Sequence, residues 1–143
     1  MCLAIYLVRL IGGSLEEGGN KMTIIGVHHV QITIPKGTEQ EAKNFYCEVL
    51  ELTEIEKPLS LQGRGGFWLT LGNMDVHVGT EDGFDRYSTK SHLAYQVDSM
   101  IVWKNKLSKL GVKIADSIAI EGYERFEFRD PFGNRVEIIE RKK

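Results

Sequence analysis

The sequence predicts an α+β fold in which one unit, a strand followed by a helix and further strands, is made twice. The segments HHVQITIP and SHLAYQVD both alternate polar and apolar residues, as strands do, and a helical pattern follows each of them. The segments LGNMDVHVG and FGNRVEIIE, near the ends of the two halves, align at Gly-Asn with a one-residue length difference. An internal duplication explains both matches, with halves at about residues 26–80 and 91–143.

The bulk composition fits a soluble globular domain. The chain has 143 residues, of which 42% are hydrophobic and 27% charged, and its net charge is −2. This near-neutral balance offers no electrostatic reason to expect a nucleic acid or an anionic membrane as partner. The two cysteines, Cys2 and Cys47, make no disulfide framework, so a reducing cytoplasm is the simpler location.

Residues 1–21 differ from the rest of the chain. They begin with an apolar run that Arg9 interrupts, and this run lacks the basic start and the cleavage site of a signal peptide. It is also too short to span a bilayer as a helix. Glu-Glu-Gly-Gly shortly before Met22 is what a translated ribosome-binding site would look like. We therefore predict that Met22 is the native start, that residues 1–21 are a non-core extension and that residues 22–143 form the domain. The alternative is a genuine apolar arm that packs on a partner.

The first half begins with the strand HHVQITIP, whose valine and isoleucines share one face while His29 lies on the other. A capping box at residues 38–41 predicts the start of a helix, and apolar residues recur at helical spacing as far as Leu50. A polar link follows at roughly residues 80–91. The strands predicted before that link are LTEIEKP, GGFWLTL and MDVHVG.

In the second half, the strand SHLAYQVD places His92 on the face opposite Leu93 and the other large apolar residues. A helix follows, and Gly111 is placed to end it in the left-handed conformation that glycine tolerates. VKIADSI is a predicted strand. The segments YERFEFR and NRVEIIE form a predicted hairpin around Asp-Pro-Phe-Gly, a strong turn signal.

Four residues that can bind a metal stand out because of the strand face they occupy. His29, His77, His92 and Glu137 each lie opposite the apolar face of their strand, at equivalent places in the two halves. Imidazole and carboxylate are the usual ligands of Zn²⁺, Ni²⁺, Fe²⁺ and Mn²⁺. If the halves pack face to face, the four side chains converge on one divalent ion per site.

Each of these residues alone has a plainer interpretation. A single histidine on a strand is usually a surface or hydrogen-bonded residue, and a glutamate there is usually solvated. The joint pattern of four ligand-type residues on one face of four strands favours the metal site. His28 shares the apolar face of its strand, which predicts a core or edge histidine, or a residue that supports a ligand.

Other side chains are candidates for binding a substrate on the same concave face. Trp68 and its repeat equivalent Glu127 are expected to line this face. Arg64 and Arg125 are candidates for binding an anionic group such as a substrate carboxylate, although surface arginines are common. Cys47 is interpreted as a packed helix residue, since no positive neighbour is evident that would lower the pKa of its thiol.

Over residues 26–143 the chain resembles the vicinal oxygen chelate superfamily, which includes glyoxalase I. The terminal motif DPFGNRVE is the most specific part of the resemblance. In such proteins two βαβββ modules in tandem form a curved mixed sheet with a cleft that holds one divalent metal ion. The other motifs that carry the resemblance are HHVQITI, FYCEVLEL, GGFWLTLG, DVHVG and SHLAYQV.

The resemblance implies a role for each candidate ligand. His29 matches the first-strand ligand of the family, His92 the histidine of the second module, and Glu137 the terminal glutamate. His77 falls where glyoxalase I carries its other protein ligand, which is a glutamate in some members. The histidine leaves only one carboxylate among the four, which weakens a direct transfer of the glyoxalase I mechanism.

Two positions depart from the family pattern, and neither is a ligand. Pro35-Lys36 replaces an acidic residue after the first strand, and Glu51 replaces the glycine expected where the first helix ends. In several relatives the metal site is shared between two chains, so the resemblance also implies a homodimer.

The function implied by the resemblance is that of a divalent-metal-dependent lyase or isomerase of the glyoxalase type. Its substrate would be a small α-carbonyl compound or thiol adduct, and the metal would stabilise an enediolate-type charge. Glu137 is the predicted base because it is the only carboxylate among the four ligands. The alternatives are a thiol transferase of the fosfomycin-resistance type, an Fe²⁺ dioxygenase of the extradiol type, and a metal-free small-molecule (antibiotic) binding protein. Four intact ligands argue against the last of these.

Overall fold

Apolar residues on one face of each strand determine how the two halves pack. In the computed structural model, which describes residues 23–143, the chain forms two four-stranded mixed sheets, one from each half. The predictions made for residues 1–21 lie outside the described residues. The elements of the first half, called module 1, are β1 (His29–Ile34), α1 (Glu39–Lys43), a π-helical turn (Asn44–Val49), β2 (Thr53–Ile55), a 3₁₀ turn (Leu59–Leu61), β3 (Phe67–Leu71) and β4 (Met74–Thr80).

The second half, called module 2, repeats this order. Its elements are β5 (His92–Gln96), α2 (Met100–Lys109), β6 (Ala115–Asp116), β7 (Tyr123–Arg129) and β8 (Arg135–Arg141). The strand order is β1-β4-β3-β2 in module 1 and β5-β8-β7-β6 in module 2, and the first pair of each sheet is parallel. The predicted α+β architecture of two tandem βαβββ modules is confirmed. Within residues 23–143, no helix is long and apolar enough to cross a membrane.

One hydrophobic core is shared by both modules, and it lies on the helix side of the sheets. Strand alternation turns the intervening positions, among them 77 and 137, to the opposite face. The largest side chains that the core buries almost fully are Tyr46, Phe126, Ile34, Leu69, Leu107 and Ile138.

Three local details differ from the sequence prediction. The hydroxyl of Thr38 donates to Pro35 O at 2.7 Å, so it bonds the preceding turn and makes no capping bond to α1. The first helix is α-helical only as far as Lys43 and continues as the π-helical turn. The strand predicted at VKIADSI is reduced to β6, because it lies at the edge of its sheet and pairs with β7 over two residues only.

Buried polar contacts join the two modules. Tyr46 OH donates to Asp130 Oδ2 at 2.6 Å, and burial together with the nearby Asp130 carboxylate raises the pKa of Tyr46 well above its ordinary value. Asn134 Nδ2 donates to Thr33 O at 2.9 Å. Arg86, in the link between the modules, donates to the same carbonyl through Nε at 2.8 Å and is 5% exposed. These bonds hold the end of β1 against the terminal hairpin and so set how the modules are oriented.

Candidate metal centre

Module 1 brings two of the candidate ligands to one indole ring. Trp68 lies directly opposite His77 in the antiparallel register of β3 and β4, and their rings stack with centroids 4.9 Å apart and planes 13° apart. The ring of His29, on β1, lies 5.2 Å from the same indole at a tilt of 47°. Trp68 is 7% exposed, and its buried Nε1–H has no hydrogen-bond partner among the described residues. The indole therefore forms a fixed surface against which both imidazoles rest.

The surroundings of His77 favour its neutral form. Partial burial lowers the pKa of His77, and the positive charges of Lys57 and of a protonated His29 lower this pKa further. A neutral imidazole is the form that binds a divalent metal.

The neighbouring His28 is not a core residue. It is exposed, and its Nδ1 lies 3.0 Å from Nδ1 of His29, so it contacts a candidate ligand at the start of an edge strand. Of the three interpretations open from the sequence, the structure excludes the core position, because the residues before β1, which include Ile24 and Ile25, are not covered by the core. The edge position and the contact with a candidate ligand agree with the other two.

Module 2 brings the other two candidate ligands into direct contact. Glu137 Oε2 lies 3.0 Å from His92 Nε2. Nδ1 of His92 lies 2.8 Å from Lys90 O, and a carbonyl only accepts hydrogen bonds, so Nδ1 carries the hydrogen. In a neutral imidazole Nε2 is then an acceptor, and it faces a carboxylate oxygen that is an acceptor too. Two acceptors at this distance require a shared cation, either a proton or a metal ion.

Glu137 is held from its other side by an arginine. The glutamate is 2% exposed, and its Oε1 lies 3.2 Å from Arg125 Nη1. Nη2 of the same arginine lies 3.3 Å from Glu127 Oε1, and Glu127 is also paired with Arg135. Burial alone would raise the pKa of Glu127, but the hydrogen bond and charge of Arg135 outweigh burial and lower this pKa overall. Both oxygens of Glu137 are thus occupied, and Arg125 and Arg135 are each paired with a carboxylate of this face.

The four candidate ligands form two pairs rather than one cluster. Among the residues that the structure describes, no group of three or more His, Cys, Asp or Glu side chains is close enough to hold a metal ion. The modules contact each other through their shared core and through the bonds around Thr33 and Asp130. Each pair nevertheless suits a divalent metal chemically, because it presents two nitrogen or oxygen donors away from the core. A metal ion bound by four protein donors would need one pair from module 1 and one pair from module 2.

The predicted substrate-binding residues fall into two groups. Trp68, Arg125 and Glu127 lie beside the candidate ligands through the contacts above. Arg64 lies apart from them in the loop between β2 and β3, where it lines a cavity that His77 also borders.

Two charged residues near the site were not predicted from the sequence. Arg135 lies two residues before Glu137 on the same strand, so the alternation rule could have found it. Lys57 is different, because its position beside His77 depends on how the loop after β2 folds back over the sheet. No periodicity in the sequence reports that loop.

The sequence matches a known family. The family described as Glyoxalase/Bleomycin resistance protein/Dioxygenase superfamily matches residues 26–138. The chain belongs to this superfamily. The resemblance to the vicinal oxygen chelate proteins is thereby confirmed.

Two other proteins are similar in sequence to this superfamily member along most of its length. Glyoxylase I 4 of Arabidopsis thaliana is 27% identical over 133 residues, which cover 86% of this chain and 75% of the relative. A protein named as a ring-cleaving dioxygenase, MhqO of Bacillus subtilis (strain 168), is 28% identical over 130 residues. That match covers 82% of this chain but 41% of MhqO.

Solved structures agree with the fold of this superfamily member. A glyoxalase family protein from Bacillus anthracis is 39% identical with a TM-score of 0.79, and the match covers 86% of this chain and all of that protein. A lactoylglutathione lyase from Agrobacterium tumefaciens has a TM-score of 0.64 at 17% identity, with 82% and 94% of the two chains covered. At that identity the likeness shows the fold alone.

Proposed function

We propose that this protein is a divalent-metal-dependent enzyme of the glyoxalase type that acts on a small α-carbonyl compound or its thiol adduct. In this proposal His29 and His77 of one copy and His92 and Glu137 of a second copy hold one metal ion. The observation that carries the proposal is the contact between His92 Nε2 and Glu137 Oε2, because two groups that both bind divalent metals face each other at 3.0 Å.

A second copy would complete the site because each chain contains both kinds of pair. Two copies related by a twofold axis present the same surfaces to each other, so module 1 of each would meet module 2 of the other and two equivalent sites would form. The half-exposed state of the pairs supports this arrangement: His29 and His92 are exposed in the single chain although they are candidate ligands. Binding of metal and association of the copies would then stabilise each other.

The reaction would move one proton between neighbouring carbons of the substrate. The metal would supply stabilisation of negative charge on two neighbouring substrate oxygens. Glu137 is the candidate base. Its Oε2 would have to leave His92 before it could accept the proton of the substrate. Arg125, which holds Oε1, would keep the carboxylate in place while Oε2 moves. The proton returned to the adjacent carbon would make the overall reaction an isomerisation.

Metal content tests the ligand assignment. Elemental analysis of the purified protein should find about one divalent metal ion per chain, since two copies would hold two sites. His29→Ala and Glu137→Gln should each lower the metal affinity by at least about tenfold. Glu124→Gln, an exposed change on β7, is the matched control and should leave the affinity unchanged. A wild-type protein that neither contains metal nor binds added metal would contradict the proposal.

Turnover tests the reaction. The metal-loaded protein should convert the adduct of methylglyoxal with a low-molecular-weight thiol. The conversion is measured by the appearance of the thioester product. Glu137→Gln should abolish this conversion, whereas Glu124→Gln should retain it. Absence of turnover with every common thiol would exclude the glyoxalase version of the proposal.

A second candidate is an Fe²⁺-dependent dioxygenase. Its specific support is the similarity to MhqO, which is named as a ring-cleaving dioxygenase. Two histidines and one glutamate with open positions suit Fe²⁺ that activates oxygen. Oxygen uptake with a catechol, dependent on Fe²⁺ and lost in His92→Ala, would favour this candidate over the first.

A further inference from the structure

Arg64 on module 1 differs from Arg125 and Arg135 on module 2 in its partners. On module 2, Arg125 and Arg135 are each paired with a carboxylate. On module 1, the guanidinium of Arg64 has no ion-pair or hydrogen-bond partner among the described residues, and Lys57 is bonded to carbonyl oxygens rather than to an acid. A cation without an acidic partner beside a cavity is a binding group for an anion.

A cavity of about 240 Å³ lies between these cations and His77. One wall is the sheet, with Gln31 on β1 and Gly79 on β4, and the other wall is the loop that carries Arg64. The structure assigns no hydrogen bond to the side-chain amide of Gln31 within residues 23–143. The cavity therefore combines an unpaired guanidinium, a free amide and a candidate metal ligand.

Lys57 shapes the loop that forms the outer wall. Its ammonium contacts the carbonyls of Arg64, Gly65 and Gly66, the last two at 3.1 and 3.5 Å. Three carbonyl contacts hold the backbone around one point but leave the positive charge uncompensated. Glu39 contacts this loop through Oε1, which accepts from Gly66 N at 3.3 Å. Neither the Lys57 ammonium nor the Arg64 guanidinium forms an ion pair with an acid among the described residues.

Gly79 keeps the cavity open. It follows His77 by two residues on β4, so a side chain at this position would project from the same face of the sheet. A Cβ at Gly79 would lie 2.5 Å from Gln31 Nε2, at the flexible end of a side chain, so a substitution fills space without forcing the backbone. The backbone of Gly79 is not in the left-handed region, unlike that of Gly66.

We propose that this cavity binds an anionic oxygen group of the substrate, a carboxylate or a phosphonate, through Arg64 and Gln31. The proposal rests on the proposed function, because it places the anionic arm of the substrate beside His77 on module 1. It makes the substrate an acid rather than a neutral carbonyl compound. Arg64 is then the residue that selects the substrate, while the paired charges of module 2 serve the reacting end.

Protein NMR on the full chain tests this binding directly, with and without added Zn²⁺. The probes are 3-(methylthio)propionate, methylphosphonate and the uncharged 3-(methylthio)propan-1-ol. At least one anion should shift the amide signals of Gly65 and Gly79 saturably, and it should bind at least about tenfold more tightly than the alcohol. The relative affinities of the carboxylate and the phosphonate decide which group the cavity takes.

Variants locate the binding group. Arg64→Gln should weaken anion binding by about tenfold, and Arg64→Lys should recover part of the loss because it keeps the charge. Gly79→Val should abolish the signal shifts that the anions cause, while the spectrum remains that of a folded protein. Lys109→Gln, which removes an exposed cation at the end of α2, is the control and should change nothing.

Two outcomes overturn the inference: equal binding of the anions and the alcohol, including no binding of any probe, or anion binding that Arg64→Gln leaves unchanged. Failure of the proposed function is a separate result. Arg64-dependent anion binding by a protein without turnover would count against the reaction alone. Turnover that shows no preference for anionic substrates and no effect of Arg64→Gln would count against the inference alone.

Discussion

Glu137 carries a negative charge at a position that water hardly reaches. A buried carboxylate is tolerated only where partners replace its hydration, and here Arg125 and His92 each contact one oxygen. The same contacts restrict which oxygen can meet a ligand, because Oε1 is engaged by the arginine. At the scale of single residues, the candidate centre is therefore a set of charges that hold each other in place.

Removing Arg125 should destabilise the fold. Arg125→Gln leaves the buried Glu137 carboxylate without its cation, and we expect the free energy of unfolding at pH 7 to fall by about 3 kcal/mol. Adding Glu137→Gln should recover much of that loss, because the uncompensated charge disappears. Urea unfolding of both single variants and the double variant measures the coupling. Additive effects would show that the two groups do not interact.

Cys47 should react slowly with thiol reagents. Burial raises the pKa of its thiol, and the negative charges of Glu54 and Glu48 raise it further against the opposing charge of Lys43. A raised pKa means less thiolate at any given pH below it, so alkylation by iodoacetamide at pH 8 should be slower than for a free cysteine. Glu54→Gln should accelerate the reaction. Peptide mass mapping separates Cys47 from Cys2, and a rate at pH 8 equal to that of free cysteine would contradict the expectation.

At the scale of elements, the ends of the helices show where the chain departs from its family pattern. Gly111 ends α2 with φ of 73°, as its position in the sequence predicts. Glu51, at the end of the first helix, adopts φ of 60°, the left-handed conformation for which the family uses glycine. Its carboxylate contacts Lys106 Nζ at 2.6 Å, a link between the two modules.

Glu51→Gly should stabilise the protein. It removes the left-handed strain of a residue with a Cβ, and it loses an exposed ion pair that contributes little, so we expect a gain of about 0.5–1 kcal/mol in the free energy of unfolding. Glu51→Ala is the matched control, because it loses the ion pair and keeps the strain. It should show no gain. A destabilised Glu51→Gly protein would mean that the contact with Lys106 outweighs the strain.

At the scale of the whole molecule, the two pairs of candidate ligands belong to different modules. The shared core and the bonds around Asp130 orient the modules so that the pairs stay apart in one chain. A shared site between two copies would reconcile this separation with a four-donor centre. Variants that damage only one pair allow a direct test.

Mixed dimers should recover metal sites that neither parent has. One parent carries His29→Ala with His77→Ala, and the other carries His92→Ala with Glu137→Gln. If two copies share the site, isolated mixed dimers should hold roughly half of the wild-type metal, because each has one intact site of two. Co-expression with different affinity tags and elemental analysis of the doubly purified protein measure it. No recovery in isolated mixed dimers would contradict a shared site.

Much of the fold could be predicted because its signals are local. Strand alternation assigned His29, His77, His92 and Glu137 to the face away from the core, and the repeat predicted two modules of the same kind. The predictions that failed also rested on local signals, and tertiary contacts overrode those signals. The hydroxyl of Thr38 bonds a turn instead of capping the helix, and His28 has the alternation of a core residue at a point where the core does not extend.

Periodicity in the sequence indicates which side chains share a face, because the periods of strands and helices are properties of the backbone. Which of these side chains touch depends on how the elements pack in three dimensions. The contact of His92 with Glu137 joins residues 45 apart in the chain, and that of Tyr46 with Asp130 joins residues 84 apart. Such distances depend on sheet register, on module packing and on the loop that Lys57 holds. The tertiary structure therefore separated four equivalent-looking candidate ligands into two pairs, and it placed the unpaired Arg64 on a cavity that His77 also borders.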